Sequence, residues 1–295
     1  MTKPRPPAWL KPLVLPMWNG GYRLAIRGGE YLGAVRHRRF GWCDVCGRFG
    51  PWLYQRRVIS PKLEELWGLT PKWAETLATK ESSDCHWCGT KLRGRRLARV
   101  VLDTYPVGTP PAPASSINTW IRSNEARSLR VAEINRIDGF HQILSSLPEL
   151  TYSDFNPEGN ADEVRSEDLT HLTYSDAAFD LVLTSESLEH VPDFQTALSE
   201  IHRVLAPGGR HIFTVPLLPD VPHTFPRSIL HSDGTVAHLK PEIRHPGGDV
   251  GYPVFTEFGA DLDEILRKAG FEVEMAFGPV REDDLAQVWI CRKAA

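Results

Sequence analysis

Beyond Ser116 the chain alternates strand-sized and helix-sized apolar runs. LRVAEI, HQILSSL, LTYSDF, FDLVLTS, FQTALSEIHRVL and HIFTVPLL follow one another. Such alternation requires crossover connections and implies a largely parallel sheet. Phe194, Leu198, Ile201 and Leu205 keep helical spacing on one face, and Pro207, Gly208 and Gly209 are expected to end that helix and turn the chain into HIFTVP. Near the end, DLDEILRKAG reads as a helix stopped by Gly270, and FEVEMAF and QVWICRK read as a strand pair. Before Thr104 the pattern is irregular and dense in Gly, Trp and Arg. The stretch TYPVGTPPAPASS, Thr104 to Ser116, reads as a semi-rigid linker. These patterns divide the chain into an extension (1–40), a small cysteine-bearing domain (41–104), a Pro-rich linker (105–116) and an α/β domain (117–295).

Composition narrows the class. With 41% hydrophobic and 24% charged residues, the 295-residue chain is neither disordered nor fibrous nor a coiled coil. Its apolar runs are strand-length, so no membrane span is expected. The start, MTKPRPPAWLKPLVLPMW, is broken by Pro and Lys, unlike a signal peptide, so a cytoplasmic location is the default expectation. Charge is uneven. Residues 1–104 hold 19 Lys/Arg against 8 Asp/Glu, a net of +11, and residues 105–295 hold 15 against 29, a net of −14. A basic module of this kind could attract nucleic acid, a phosphorylated carrier or the acidic half of the same chain. Its run KLRGRRLAR reads equally as a phosphate-contacting helix or a solvated helix face.

The cysteines carry sharper information. Cys43 and Cys46 lie in WCDVCGR, and Cys85 and Cys88 lie in DCHWCGT. Each C-x-x-C turn brings two sulfurs to one ion, and the following glycine lets backbone amides approach the thiolates. Two such turns read as a zinc ribbon with four thiolate ligands, a closed structural Zn2+ site with no position for water. Their long separation implies an insertion between them. A redox role would need a thioredoxin-like pattern, which is absent. Cys291, alone in an apolar strand, reads as core.

The block FDLVLTSESLEHVPDFQTALSEIHRVLAPGGRHIFTVP resembles the class I S-adenosylmethionine-dependent methyltransferases, specifically the group with an F-D-x-V strand, an L-E-H-V segment and an R-V-L-x-P-G-G turn. The resemblance runs from about residue 129 to 290. It implies a Rossmann-like, doubly wound, mostly parallel sheet with a terminal antiparallel strand, behind a zinc ribbon like that of a subset of these enzymes. It also implies a cofactor site. Glu133 matches the acid closing the first strand, facing the loop under the methionine part. Asn135 and Gly139 match loop positions. Asp154 matches the ribose-binding acid, Asp168 with Leu169 the residues near the adenine amine, and Ser185 and Glu186 the border of the transferable methyl. The usual acid-x-Gly-x-Gly-x-Gly loop is replaced by Glu133-Ile134-Asn135-Arg136-Ile137-Asp138-Gly139. Asn tolerates positive φ, whereas β-branched Ile137 resists it, so a reshaped loop is expected.

Methyl transfer is an in-line displacement in which the protein chiefly orients the partners, and a hydroxyl acceptor also needs a base. The resemblance puts His190 beside the methyl, with Glu189 next to it a weaker candidate. A long segment from Leu217 to about Phe258, holding His223, His231, His238 and His245, reads as a substrate cover. His245, in RHPGG, is the second base candidate. The spacing of these four histidines matches no compact metal motif. Two functions follow as expectations: an S-adenosylmethionine-dependent methyltransferase acting on a small-molecule or glycan acceptor, or a non-catalytic zinc-ribbon protein with a degenerate methyltransferase domain that contacts nucleic acid or another polyanion.

Overall fold

The structure is a computed structural model that describes residues 28–54, 59–155, 164–218, 220–245, 251–277 and 285–295. Most of the 1–40 extension and the Pro-Gly-Gly part of RHPGG lie outside the described residues.

The cysteine-bearing segment begins with β1 (Phe40–Trp42) and β2 (Phe49–Tyr54), which pair antiparallel around the Cys43–Cys46 turn. β3 (Ser83–Cys85) then adds to β2. The insertion implied by the cysteine spacing is helical: α1 (Pro61–Leu66) and α2 (Pro71–Ser82). Ser60 and Thr70 cap these helices by accepting from Leu63 N and Trp73 N, each followed by a proline whose fixed φ suits the first helical position.

The basic run forms α3 (Leu92–Thr104), and the reading of it as a solvated helix face needs correction. Gly94, Arg95, Leu97, Ala98, Val100, Val101 and Leu102 are buried, so this is no solvated face. Its cations are also engaged internally. Arg95 donates to Ser83 O and Thr90 O at 2.8 Å and lies 4.0 Å over the Trp52 ring. Arg96 stacks over Phe277, and Arg99 pairs with Asp103 and Asp44.

A seven-stranded sheet forms the larger layer. Its strands are β4 (Val131–Ile134), β5 (Leu150–Asp154), β6 (Arg165–Ser166), β7 (Phe179–Ser185), β8 (Leu205–Thr214), β9 (Phe271–Ala276) and β10 (Val288–Lys293). The spatial order is β9-β10-β8-β7-β4-β5-β6. β4 to β8 are parallel, while β10 runs antiparallel to both β8 and β9. The mostly parallel α/β sheet expected from the alternation is therefore present. Helices α4 (Asp138–Leu144), α5 (Phe194–Val204) and α6 (Leu262–Lys268) cross its faces. Gly270, at φ +94°, follows the end of α6 as expected.

One boundary differs. α5 ends at Val204, and Leu205 already pairs with Phe179 as the first residue of β8. The Pro207-Gly208-Gly209 turn is a bulge inside the strand, because pairing resumes only at Leu181 with Arg210. Gly208, at φ +77°, supplies the left-handed residue this bulge requires.

One apolar cluster packs α5 and α6 on the sheet, including Leu198, Ile201, Phe213, Leu266 and Trp289. A second joins α3 and α4 to the sheet and reaches Cys43, Val45 and Cys85, so the cysteine-bearing segment and the sheet share a core. Cys291 is fully buried in β10, and burial pushes its thiol up. Residues 217–258 form short ladders, 225–226 with 256–257, 228–230 with 236–238 and 244–245 with 252–253. A parallel bridge between Leu217 and Phe258 closes the base of this segment. Ile243 and Val254 from it pack with Ile59, Leu63 and Leu77 in a third cluster, so the insertion helices and the cover segment meet as a roof.

Candidate cofactor crevice and metal centres

The sheet's connections reverse direction between β4 and β7: the chain goes from β4 outward to β5 and β6, then returns to β7 and continues to β8. In open α/β sheets ligands bind at such a switch point, outside the carboxyl ends of the strands. The chain places Glu133 and the 134–139 loop at one lip, Asp154 at the end of β5, and Ser185 and Glu186 at the end of β7.

Glu133 is fully buried. Its Oε1 accepts from Ile137 N at 3.0 Å, and its Oε2 accepts from His141 Nδ1 at 2.6 Å. It therefore braces the loop from beneath. Asn135 takes φ +65°, and its Oδ1 accepts from Phe155 N at 3.3 Å, tying the loop to the end of β5. The loop takes the different course expected of a chain with isoleucine at this position. Ile137 takes φ −97°, and positive φ falls instead on Asn135 and on Asp138, at +38°. Its side chain is fully buried in the cluster under α3 and α4, away from solvent. Gly139 has a different partner from a ligand: a Cβ built there would lie 1.7 Å from Cys88 O. The loop glycine is where the sheet domain and the second C-x-x-C turn touch backbone to backbone.

Asp154 is half-buried, and its Oδ2 accepts from Tyr152 Oη at 3.2 Å. Asp168 is exposed, its Oδ1 accepting from Thr170 N and Oγ1 at 2.8 Å in a local turn. Leu169 points the other way, into the core. Ser185 is buried and shares a 2.8 Å hydrogen bond with Thr214 Oγ1. Glu186 follows at φ +52°.

Side chains that the pattern did not single out complete the crevice. From α3, Arg93 donates to Ser185 Oγ at 3.1 Å, pairs with Glu81, and lies 3.5 Å from Asp138 Oδ2, so its guanidinium spans the two lips. From α2, the buried Lys80 bonds both Glu186 oxygens at 3.0 Å and lies 3.7 Å from Glu81. Burial pushes the Glu186 carboxyl up. Burial also works against the charge on Glu81, but Arg93, Lys80 and Lys91 outweigh it and hold that carboxyl below its ordinary value. Nothing in the local sequence of α2 marks Lys80 or Glu81, because their roles arise from the docking of one segment on another.

The structure brings together the two histidines singled out as bases. His190 sits on the 3-10 turn Leu188–His190, and its ring lies edge-on to His245, with centroids 4.9 Å apart. Glu189 lies between them, its Oε1 3.5 Å from His190 Nε2 and 3.5 Å from His245 Nδ1. Burial works against the Glu189 charge, but the two imidazoles bring its carboxyl below the ordinary range; burial lowers His190. Trp67 closes over His245 at 5.5 Å and donates to Glu257 Oε1 at 2.6 Å, which also pairs with Arg227 at 2.7 Å. The other three histidines of the cover lie elsewhere: His223 faces Asp261, His238 meets Ser228 Oγ, and His231 is exposed.

The four cysteines converge. Cys43 Sγ and Cys88 Sγ are 3.7 Å apart, Cys46 Sγ and Cys85 Sγ 3.9 Å, and all four sulfurs lie within 4.8 Å of one another. Zinc–thiolate bonds of about 2.3 Å in a tetrahedron put sulfurs about 3.8 Å apart. No cysteine is in a disulfide. The donor set therefore fits a closed zinc site.

Residues 129–213 match the family model of a methyltransferase domain. Over 126 residues the chain is 31% identical to a Mycolicibacterium smegmatis protein named "Probable S-adenosylmethionine-dependent methyltransferase", covering 43% of this chain and 41% of that one. It is also 31% identical over 106 residues to methyltransferase GfsG of Streptomyces halstedii, covering 35% of this chain and 32% of that one. The chain thus spans about two-fifths or less of the length of these relatives. Among solved structures, an S-adenosylmethionine-dependent methyltransferase from Mesorhizobium loti aligns with 16% identity and a TM-score of 0.37, covering 56% of this chain and 91% of that one. Among the described residues no helix is long and apolar enough to cross a membrane.

Proposed function

We propose that this chain transfers a methyl group from S-adenosylmethionine to a small-molecule or glycan-type acceptor. The observation that carries the reading is the placement of Glu133, Asp154, Ser185 and Glu186 at the carboxyl ends of the adjacent strands β4, β5 and β7 at the switch point, in a stretch that matches a methyltransferase domain. In this reading Asp154 accepts from the ribose hydroxyls, and Asp168 takes the adenine amine by sharing an oxygen with its own turn. Glu133 and Asn135 hold the loop, and Gly139 keeps it against the cysteine turn. Arg93 reaches across the lips, where its cation suits the cofactor's α-carboxylate. The acceptor would enter beneath the roof of α1, α2 and the 217–258 segment, with His190 or His245 in reach of its proton. The four cysteines would hold a structural Zn2+ that contributes folding energy rather than chemistry. We keep the division at 104 and 116 as part of this proposal, together with a cytoplasmic setting.

Titration calorimetry with S-adenosylmethionine tests the reading, and Asp154→Ala is expected to weaken binding by about one to two orders of magnitude. The alternative, a non-catalytic binding protein, is favoured by one observation: Lys80, Arg93, Glu81 and Glu186 already pair with one another across the crevice mouth. It predicts a flat trace from folded, zinc-loaded protein. Nucleic acid gains no support, because the basic run of α3 spends its cations inside the chain.

A further inference from the structure

We propose that Glu189, His190 and His245 form a second metal site, holding one divalent first-row transition cation separate from the four cysteines. Their ligand atoms lie within 4.8 Å of one another. The two imidazole nitrogens each stand 3.5 Å from the same Glu189 oxygen, too far for a good hydrogen bond. Bonds of about 2.0–2.2 Å to one ion separate neighbouring N and O ligands by roughly 3.0–3.5 Å, which matches this spacing.

The protonation pattern points the same way. His190 Nδ1 is 2.7 Å from Pro253 O, and a carbonyl only accepts, so Nδ1 carries the proton. That leaves the Nε2 lone pair aimed at a carboxylate, an arrangement that a cation between them resolves. A metal-bound histidine commonly donates its other N–H to a backbone carbonyl in this way. The carboxylate itself is buried, 1% exposed, and neither of its oxygens has a hydrogen-bond partner. A buried carboxylate without hydrogen bonds is costly unless an ion satisfies it. The charged groups that act on it are the two histidines, the Arg93 guanidinium from α3, which is already occupied by Glu81 and Ser185, and the like-charged Glu186, which is itself paired with Lys80. Two nitrogens and one oxygen suit borderline cations such as Zn2+, Co2+ or Fe2+ and leave open coordination positions.

A consequence follows for the acceptor, and it rests on the methyl-transfer reading. The turn bearing Glu189 and His190 leaves the carboxyl end of β7, so an ion there would select an acceptor that presents oxygen. With His190 and His245 then serving as ligands in place of bases, a hydroxyl bound to the ion would lose its proton to solvent more readily. The oxygen then forms a C–O bond as the methyl–sulfur bond breaks, and neutral S-adenosylhomocysteine leaves.

The test uses the full chain loaded with one equivalent of zinc, titrated with Co2+ in the absence of S-adenosylmethionine. The expected result is one further cation per chain, with visible d–d absorption and no thiolate charge-transfer band. Glu189→Gln and His245→Ala should each weaken that binding at least tenfold, with zinc content and circular dichroism unchanged. Absence of a second equivalent in the wild-type chain overturns the site, and so does binding equally tight in both variants. The wild-type stoichiometry is read first, so a variant that fails to fold does not shelter the claim. A chain that binds Co2+ but not S-adenosylmethionine supports the metal site and removes only its link to methyl transfer.

Discussion

At the scale of single residues, Ile137 shows how a departure from a motif is absorbed. A β-branched residue sits in the loop without strain because the left-handed conformations fall on Asn135 and Asp138. Its side chain contributes to the core under α3. Ile137→Ala is therefore expected to cost about 2–4 kcal/mol of stability, measured by denaturant unfolding, and to change cofactor affinity far less than Asp154→Ala. His211 is fully buried in β8, with Nε2 2.9 Å from Thr184 Oγ1 and the ring stacked on Phe213. Burial pushes it down to about 3 from 6.5. The unfolded chain then binds the proton first, so stability is full above pH 6.5 and falls as pH drops toward 3. Between pH 7 and pH 5 this group alone should remove about 2 kcal/mol, and His211→Gln, which keeps a partner for Thr184 without titrating, should flatten that part of the curve.

Among elements, the 134–139 loop and the second cysteine turn meet backbone to backbone, one of the contacts that join the two halves of the chain. The 1.7 Å approach of a Cβ at Gly139 to Cys88 O leaves no room for alanine. Gly139→Ala is expected to lower the melting temperature and loosen zinc together, read by calorimetry and by zinc release to a chromophoric chelator. Unchanged zinc retention in a destabilised variant would disconnect the two. The strands, their parallel pairing and the antiparallel end were legible because period-2 and period-3.6 patterns report which face is buried. So was the convergence of four cysteines, because C-x-x-C spacing constrains geometry locally. The burial of α3 was hidden by its arginines: Arg95 covers Trp52 and satisfies carbonyls inside the protein, so charge did not report exposure. Lys80, Glu81 and Arg93 were equally hidden, since they meet Glu186 and Ser185 only through long-range docking.

For the whole molecule, the opposite charges of the two halves find an internal use. Lys80, Lys91 and Arg93 from the basic segment meet Asp138 and Glu186 of the acidic one around the crevice. The cysteine cluster lies in the same core as the sheet, so metal loss should reach the crevice. Stripping zinc with a strong chelator is expected to lower the melting temperature by many degrees, and restoring one equivalent of Zn2+ should recover it; insensitivity to chelation would remove the structural zinc site. The central claim is that the sheet's switch point holds an adenosyl sulfonium despite the unorthodox loop. The most direct measurement is titration calorimetry of S-adenosylmethionine into zinc-loaded wild-type and Asp154→Ala protein. One-to-one binding, weakened by about one to two orders of magnitude in the variant, is predicted. A flat trace with folded wild-type protein, or equal affinity in both, would contradict it.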